Sequence, residues 1–284
     1  SVFCIGTGNE AASAGHTSGR IISEGEETIQ LAIQSRQSSI SIQIWKEYTD
    51  QIEISIINPS GVRVGPVPEI LGPHRFRIGQ TEILLYYGEP SPYSISQEIY
   101  IDLLPVESYL TEGIWRIVLS AGKIVTGQYE MWLPSDNVLN RGTGFLFPTD
   151  ATTLTIPSSA SRAISVGAYD ARTFAYADFS GRGFTRLTNM VKPDLVAPGV
   201  NVRTTAVGGG VTVVSGTSFA TPFVTGASAL LMEWGIVRGN DPFLYGEKVK
   251  AYLRRGAREL PGFEKYPNRE VGYGALCVRD SLPG

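Results

Sequence analysis

The 284-residue sequence predicts an α/β domain interrupted by an antiparallel β-sandwich. Three observations predict it. Residues 20 to about 140 alternate apolar and polar side chains in short runs separated by turn residues, with no helical period of useful length. From about residue 141 the texture changes to buried strands alternating with helices. Within that part, "TSFATPFVTGASALLMEWGI" reads as a helix apolar on nearly every face, so it is expected to be buried all round.

The elements follow in order. "SVFCIGTGNE" reads as a buried strand entering a glycine-rich turn, and residues 1–19 form a first short segment. In "SISIQIW", Ile40, Ile42 and Ile44 fall on one face and Ser39, Ser41 and Gln43 on the other. "IEISII", "TEILLYY", "EIYIDLL", "GIWRIVLS" and "QYEMWL" continue the pattern, and "NPSG", "GEPSP", "SAGK" and "LPSDN" punctuate it. Short strands at regular spacing in residues 20–140 therefore imply an antiparallel sandwich or barrel, about the right size for a self-contained domain. Its aromatics Trp45, Tyr86, Tyr87, Tyr100, Trp115 and Trp132 are expected mostly in its core rather than on a carbohydrate platform. In residues 141–284, "AISVGAYD", "KPDLVAPGV" and "GVTVVSG" read as strands. "GEKVKAYLRRGAREL" reads as an amphipathic surface helix with Lys248, Lys250, Arg254, Arg255 and Arg258 on its solvated face.

Composition narrows the function. The net charge of −3 gives no general case for nucleic acid or an anionic membrane as partner. The uncharged run from Val211 to Met232 is long enough to raise a membrane helix, but Pro222 and its many Gly, Ser and Thr favour a buried core helix. Cys4 and Cys277 sit in apolar surroundings and read as small core residues. No zinc site is visible, and no Asp/Glu-rich loop places a structural calcium. A chain that opens on Ser1 directly into a strand reads as cut at that point.

Chemistry concentrates in two short stretches. In "VSGTSFATPFVTG" a strand, then Gly-Thr-Ser, then a helix places Ser218 at a helix N-terminus, where free N–H groups favour developing negative charge. That suits a nucleophile whose attack creates an oxyanion, and it equally suits a helix cap. In "GTGNE" the glycines expose backbone beside the Asn9 amide. A nucleophilic serine needs a base, and the chain contains two histidines, His16 and His74.

Taken together, these stretches resemble the subtilisin-like serine proteases. Gly216, Thr217, Ser218, Ala220 and Pro222 match the family's serine motif. Gly8, Asn9 and Glu10 match its oxyanion turn, and Lys192, Pro193, Asp194, Ala197, Pro198 and Gly199 match the segment before the serine. Gly272, Gly274 and Leu276 match its closing motif. The long segment after the oxyanion turn is similar to the clostridial germination proteases of Csp type, a branch that includes pseudoproteases, and that resemblance implies that residues 20–140 are an inserted, jelly-roll-like β-sandwich. The resemblance implies a subtilisin-like parallel sheet with flanking helices, lacking its N-terminal part. It implies a serine endopeptidase with Ser218 as nucleophile, Asn9 as oxyanion donor, and Gly6, Thr7 and Gly8 walling the substrate pocket, with no cofactor required. The alternative is a non-catalytic scaffold.

In the family the aspartate and histidine precede the oxyanion asparagine, so both are expected upstream of residue 1. His16 then reads as a loop residue near the cleft and His74 as a surface turn residue. The expected partners are a polypeptide substrate and the missing N-terminal half of the protease domain, as a separate chain or a copy. The fragment alone is expected to be inactive. The resemblance is compatible with a bacterial protein that is intracellular, spore-associated or secreted.

Overall fold

The computed structural model describes residues 1–282, which divide into two compact units. One comprises Ser1–Ala12 with Asp150–Gly284, and the other Ser13–Thr149. The contacts thus draw the inserted unit wider than residues 20–140. Strand β2 (His16–Arg20) pairs with β11, and β12 (Gly144–Phe145) pairs with β3, so both belong to the sandwich sheets.

The chain opens with β1 (Cys4–Gly6), a half-buried edge strand of the first unit, and then enters the insertion at β2. The remaining strands of the insertion are β3 (Glu26–Ile33), β4 (Ile40–Glu47), β5 (Ile52–Ile57), β6 (Arg63–Val67), β7 (Gly72–Ile78), β8 (Thr81–Tyr87), β9 (Ser96–Pro105), β10 (Gly113–Ala121), β11 (Gln128–Trp132) and β12. They form antiparallel sheets of order β12-β3-β10-β5-β6 and β2-β11-β4-β9-β8-β7. Alternation decides which side chains meet in the core. Ile40, Ile42 and Ile44 lie opposite Leu103, Ile101 and Ile99, and all six are buried with Leu31, Ile54, Ile117 and Leu119 of the other sheet. Of the six aromatics, Tyr87 and Trp115 are in this core, their polar atoms donating to the Val67 and Thr111 carbonyls. The register puts Tyr86 opposite Tyr100, and Trp45 and Trp132 also alternate away from the core. The expectation of mostly core aromatics therefore holds for two of the six, because the period of two sends the others to the outer face.

Both histidines differ from expectation. His16 begins β2 rather than lying in a loop. It is buried, stacked on Trp132 at 4.7 Å, and its Nδ1 hydrogen-bonds the Thr149 carbonyl at 3.1 Å. His74 lies within β7 rather than in a turn, with Nε2 on the Ile70 carbonyl and its ring against Phe76 and Tyr87.

After the insertion come β13 (Ile164–Tyr169), β14 (Leu195–Pro198), the hairpin β15 (Val202–Thr205) and β16 (Val211–Val214), α1 (Thr217–Met232), α2 (Gly246–Arg255) and the short α3 (Val278–Ser281). Strands β1, β13 and β14 form a parallel sheet in that order, with Cys4 opposite Ile164 and Val166 opposite Leu195. All six β13 residues are buried, as a central parallel strand covered on both faces requires. Ala220, Val224, Ala227 and Leu231 put one face of α1 into this unit's core.

The rest of α1 is not buried, which corrects the reading from its apolarity. Ser218, Pro222, Phe223 and Leu230 are exposed, and the helix runs on into a π-helical turn at Glu233–Val237. A helix is buried all round only when elements cover every side, and here the described sheet covers one. The basic helix α2 is also not wholly solvated. Lys250 and Arg254 turn inward to Asp194, while Lys248 pairs with Asp241 and Arg258, just beyond α2, pairs with Asp280. Cys4 and Cys277 are half-buried and free, so no disulfide joins them.

Candidate active site

Ser218 is the second residue of α1 and its side chain is exposed. The helix starts there because Gly216 breaks the preceding strand. Its backbone has φ 149° and ψ 157°, a conformation that favours glycine, while its N–H donates to the Gly199 carbonyl at 2.8 Å. The Gly216 carbonyl then accepts the Phe219 N–H at 3.0 Å. Gly199 ends the "KPDLVAPG" segment, so that segment backs the turn leading to the serine. Pro222 lacks the N–H that would pair with the Ser218 carbonyl four residues earlier, leaving the first turn of α1 with one helical bond fewer.

Asn9 reaches this helix from the end of β1. Its Oδ1 accepts both the Thr217 N–H at 3.0 Å and the Thr217 hydroxyl at 3.2 Å. The same hydroxyl oxygen accepts the Gly8 N–H at 3.2 Å. The first residue of α1 is thereby tied to both residues of the Gly-Asn turn. Because Oδ1 is engaged by Thr217, the Nδ2 donor lies on the opposite edge of the amide. A Cβ placed on Gly216 would stand 3.3 Å from that Nδ2.

The turn itself is held from below. Thr7 N–H donates to the Val166 carbonyl at 3.0 Å, Thr155 N–H to the Thr7 carbonyl at 2.9 Å, and Gly181 N–H to the Gly8 carbonyl at 3.0 Å. Gly8 has φ +93°, and a Cβ there would come within 2.4 Å of Thr155 Cγ2. Thr7 is fully buried, so Gly6, Thr7 and Gly8 present backbone, with Thr155, Ser180 and Gly181 packed behind. The sequence identifies Gly6, Thr7, Gly8, Asn9 and Ser218, and the fold brings all five to one place. It does not identify Thr217 as the clamp on Asn9, although the residue stands inside the quoted motif. Thr155 carries no sequence signal.

A buried ionic cluster anchors the segment behind the serine. Asp194, fully buried, accepts Lys192 Nζ at 2.9 Å, the Ser165 N–H at 2.6 Å and Arg254 Nε at 2.8 Å, with Lys250 Nζ at 3.3 Å. Lys250 also donates to the Ser161 and Ala163 carbonyls. Burial lowers its pKa to about 8; Asp194 opposes that shift, and the neighbouring Lys192 and Arg254 add to it. Among the described residues no group of three or more His, Cys, Asp or Glu could hold a metal ion.

The site is thus a parallel sheet backing a helix that Gly216 caps and Thr217 and Ser218 begin, with the Asn9 amide hydrogen-bonded to its first residue. Residues 116–274 match the subtilase family, peptidase family S8, and the chain belongs to that family of serine proteases. The matched span begins inside β10 and takes in the segments around Lys192–Gly199 and Gly216–Pro222.

The serine protease AprX of Bacillus subtilis is 32% identical over 155 residues, covering 48% of this chain and 33% of AprX. The membrane-bound transcription factor site-1 protease of Mus musculus is 37% identical over 129 residues, covering 44% of this chain and 12% of that protein. The CspB protease of Clostridium perfringens is similar in structure, with a TM-score of 0.92 at 38% identity, over 99% of this chain and 58% of that one. That likeness extends through the insertion, so the fold is subtilisin-like with an inserted β-rich domain. The chain spans about a third or less of the curated relatives named and 58% of the CspB chain.

Proposed function

We propose that this chain is the serine-bearing part of a subtilase endopeptidase that cleaves polypeptides through an acyl-enzyme on Ser218. The observation that carries the reading is the Thr217 clamp. It fixes the Asn9 amide one residue from Ser218, with its acceptor edge occupied and its donor edge opposite. Ser218 Oγ attacks the scissile carbonyl. The carbonyl oxygen becomes an oxyanion held by the Asn9 Nδ2–H and by the Ser218 N–H, one of the unpaired donors of the first turn of α1. A donor of this kind is worth about 10²–10³ in rate, a magnitude established on a subtilisin. The backbone of Gly6, Thr7 and Gly8 walls the pocket for the side chain preceding the cut. The proton of Ser218 goes to a histidine supplied, with its aspartate, by sequence upstream of residue 1.

The open faces of the first unit support that division. Among the described residues β1 is paired only with β13, and Phe3 next to it and Phe223 and Leu230 of α1 are exposed. An unpaired parallel edge next to an uncovered apolar helix face is a surface that another part of a sheet domain covers. We assign it to the N-terminal half of the protease domain.

The test is fluorophosphonate labelling of the longer native protein and of its Ser218→Ala variant. Labelling that disappears with Ser218→Ala is expected. Folded protein that takes no Ser218-dependent label would refute the enzyme reading. Residues 1–284 alone are expected to retain no more than the roughly 10³–10⁴-fold catalysis over water that survives loss of a triad member.

A further inference from the structure

In chain order the hairpin β15–β16 lies between the parallel sheet and Ser218. Among the described residues its two strands pair only with each other. Its turn fixes which backbone groups face outward. Gly209 N–H donates to the Ala206 carbonyl, and Ala206 N–H donates to the Gly210 carbonyl. Opposed residues of an antiparallel pair alternate between those that exchange backbone bonds and those that do not. With Ala206 bonded to Gly210, the pairs Thr204–Thr212 and Val202–Val214 exchange bonds across the ribbon. Arg203, Thr205, Val211 and Val213 therefore turn their N–H and C=O groups to the outer edges. Their side chains are also the exposed ones, while those of the alternate residues are half-buried.

The two edges differ. An open strand edge is ordinarily guarded by a charge, a proline or a bulge. Arg203 guards the edge of β15. Strand β16 reads Val-Thr-Val-Val, with no charge, proline or glycine and a β-branch at every position, a composition that favours pairing. Val211 and Val213 are 62% and 56% accessible. A two-stranded ribbon is marginal by itself. Outward backbone donors and acceptors alternating with β-branched side chains are the complement of one kind of occupant, an extended polypeptide.

The base of the ribbon joins this edge to the nucleophile. Asn201 N–H donates to Ser215 Oγ at 2.9 Å and Gly216 N–H to the Gly199 carbonyl at 2.8 Å, so the ribbon and the turn before Ser218 are held together. The backbone of Gly6, Thr7 and Gly8 reaches the same turn from β1, through Gly8 and Asn9 on Thr217.

We propose that the β16 edge receives, as a third strand, the part of a polypeptide substrate that follows the cut. Small or β-branched apolar side chains of that strand cover Val211 and Val213. The identity of the polypeptide as substrate rests on the endopeptidase reading; the pairing itself does not need Ser218.

The test titrates the 284-residue chain with a capped peptide alternating valine and threonine, read by amide exchange. Binding is expected to slow exchange at Val211 and Val213 about tenfold and to change Thr212 and Val214, already paired across the ribbon, far less. Val213→Pro removes one outward N–H without touching a bond of the ribbon, and is expected to raise Kd about tenfold. Thr205→Pro removes the same group from the β15 edge and is expected to keep the native Kd. Retained exchange protection in β13 and α1 reports that each variant is folded. Where the proposed histidine and aspartate are supplied to the chain, peptides extended beyond the cut are expected to be cleaved with a kcat/KM about tenfold above truncated ones, and Val213→Pro to erase that gain. Equal binding by Val213→Pro, unslowed exchange at Val211 and Val213, or a dimer that Val213→Pro dissolves and the peptide does not displace would each overturn the proposal. So would a chain that takes Ser218-dependent fluorophosphonate label but gains nothing from substrate extension. A chain that pairs the peptide at β16 and takes no such label overturns the endopeptidase reading, and with it the peptide's identity as substrate, while the pairing stands.

Discussion

Replacing Thr217 by valine isolates the contribution of one hydroxyl to the site. Valine keeps the shape, the β-branch and the backbone N–H that reaches Asn9 Oδ1 at 3.0 Å. It removes the hydroxyl bond to Oδ1 at 3.2 Å and the acceptor of the Gly8 N–H at 3.2 Å. Thr217 is 1% exposed, so solvent does not replace the hydroxyl directly. Two neutral hydrogen bonds at about 0.5–1.5 kcal/mol each, one of which leaves a donor unsatisfied, give an expected loss of about 1–3 kcal/mol. The measurements are urea unfolding and amide exchange at Gly8, with Thr217→Ser as the variant that retains the hydroxyl. Exchange at Gly8 should accelerate in the valine variant and stay slow in the serine variant. Where the proposed histidine and aspartate are supplied to the chain, the Asn9 amide keeps one of its two anchors, so kcat should fall about tenfold, equivalent to about 1.4 kcal/mol, with KM little changed. A valine variant with unchanged Gly8 exchange and unchanged stability would refute the clamp.

Three further outcomes follow from the same geometry. Gly216→Ala puts a Cβ at φ 149° and 3.3 Å from Asn9 Nδ2, so it should cost about 1–3 kcal/mol of stability and depress fluorophosphonate labelling of the native protein; labelling at the native rate would count against the geometry. Asp194→Asn leaves the buried Lys192 and Lys250 and the half-buried Arg254 without their shared carboxylate and should cost about 3–5 kcal/mol, seen as lost exchange protection in β14 and α2 while β4 and β9 keep theirs. Lys250 has a pKa lowered to about 8 from 10.5, so between those values the unfolded chain binds more protons and this group stabilises the fold as pH rises, the gain being lost as pH falls back through 8; the stability difference between the native chain and Lys250→Met, followed by urea unfolding, should shift in favour of the native chain across that window, and a flat difference would reject the buried ammonium.

Local features were legible in the order of residues alone. Alternation at Ile40, Ile42 and Ile44 fixed which side of a strand faces inward, because the side-chain period of a strand is two. The Gly-Thr-Ser and Gly-Asn stretches marked the site because a sharp turn at a helix start needs glycine at a position such as Gly216, whatever surrounds it. The family was legible for the same reason, since its motifs are short runs of backbone-constrained residues. What covers a helix, by contrast, depends on distant chain. Apolarity predicted α1 buried all round, yet only Ala220, Val224, Ala227 and Leu231 meet the described sheet. Lys250 and Arg254 read as solvated charges until the fold placed them on Asp194, more than fifty residues away in sequence. His16 read as a loop residue until its pairing with β11 made it a buried strand residue. The Thr217 clamp belongs to the same class: its partner Asn9 lies 208 residues earlier, and no local pattern encodes a hydrogen bond across that separation. Periodicity and turn chemistry act within a few residues, whereas burial, ion pairing and the orientation of the Asn9 amide are properties of the closed fold alone.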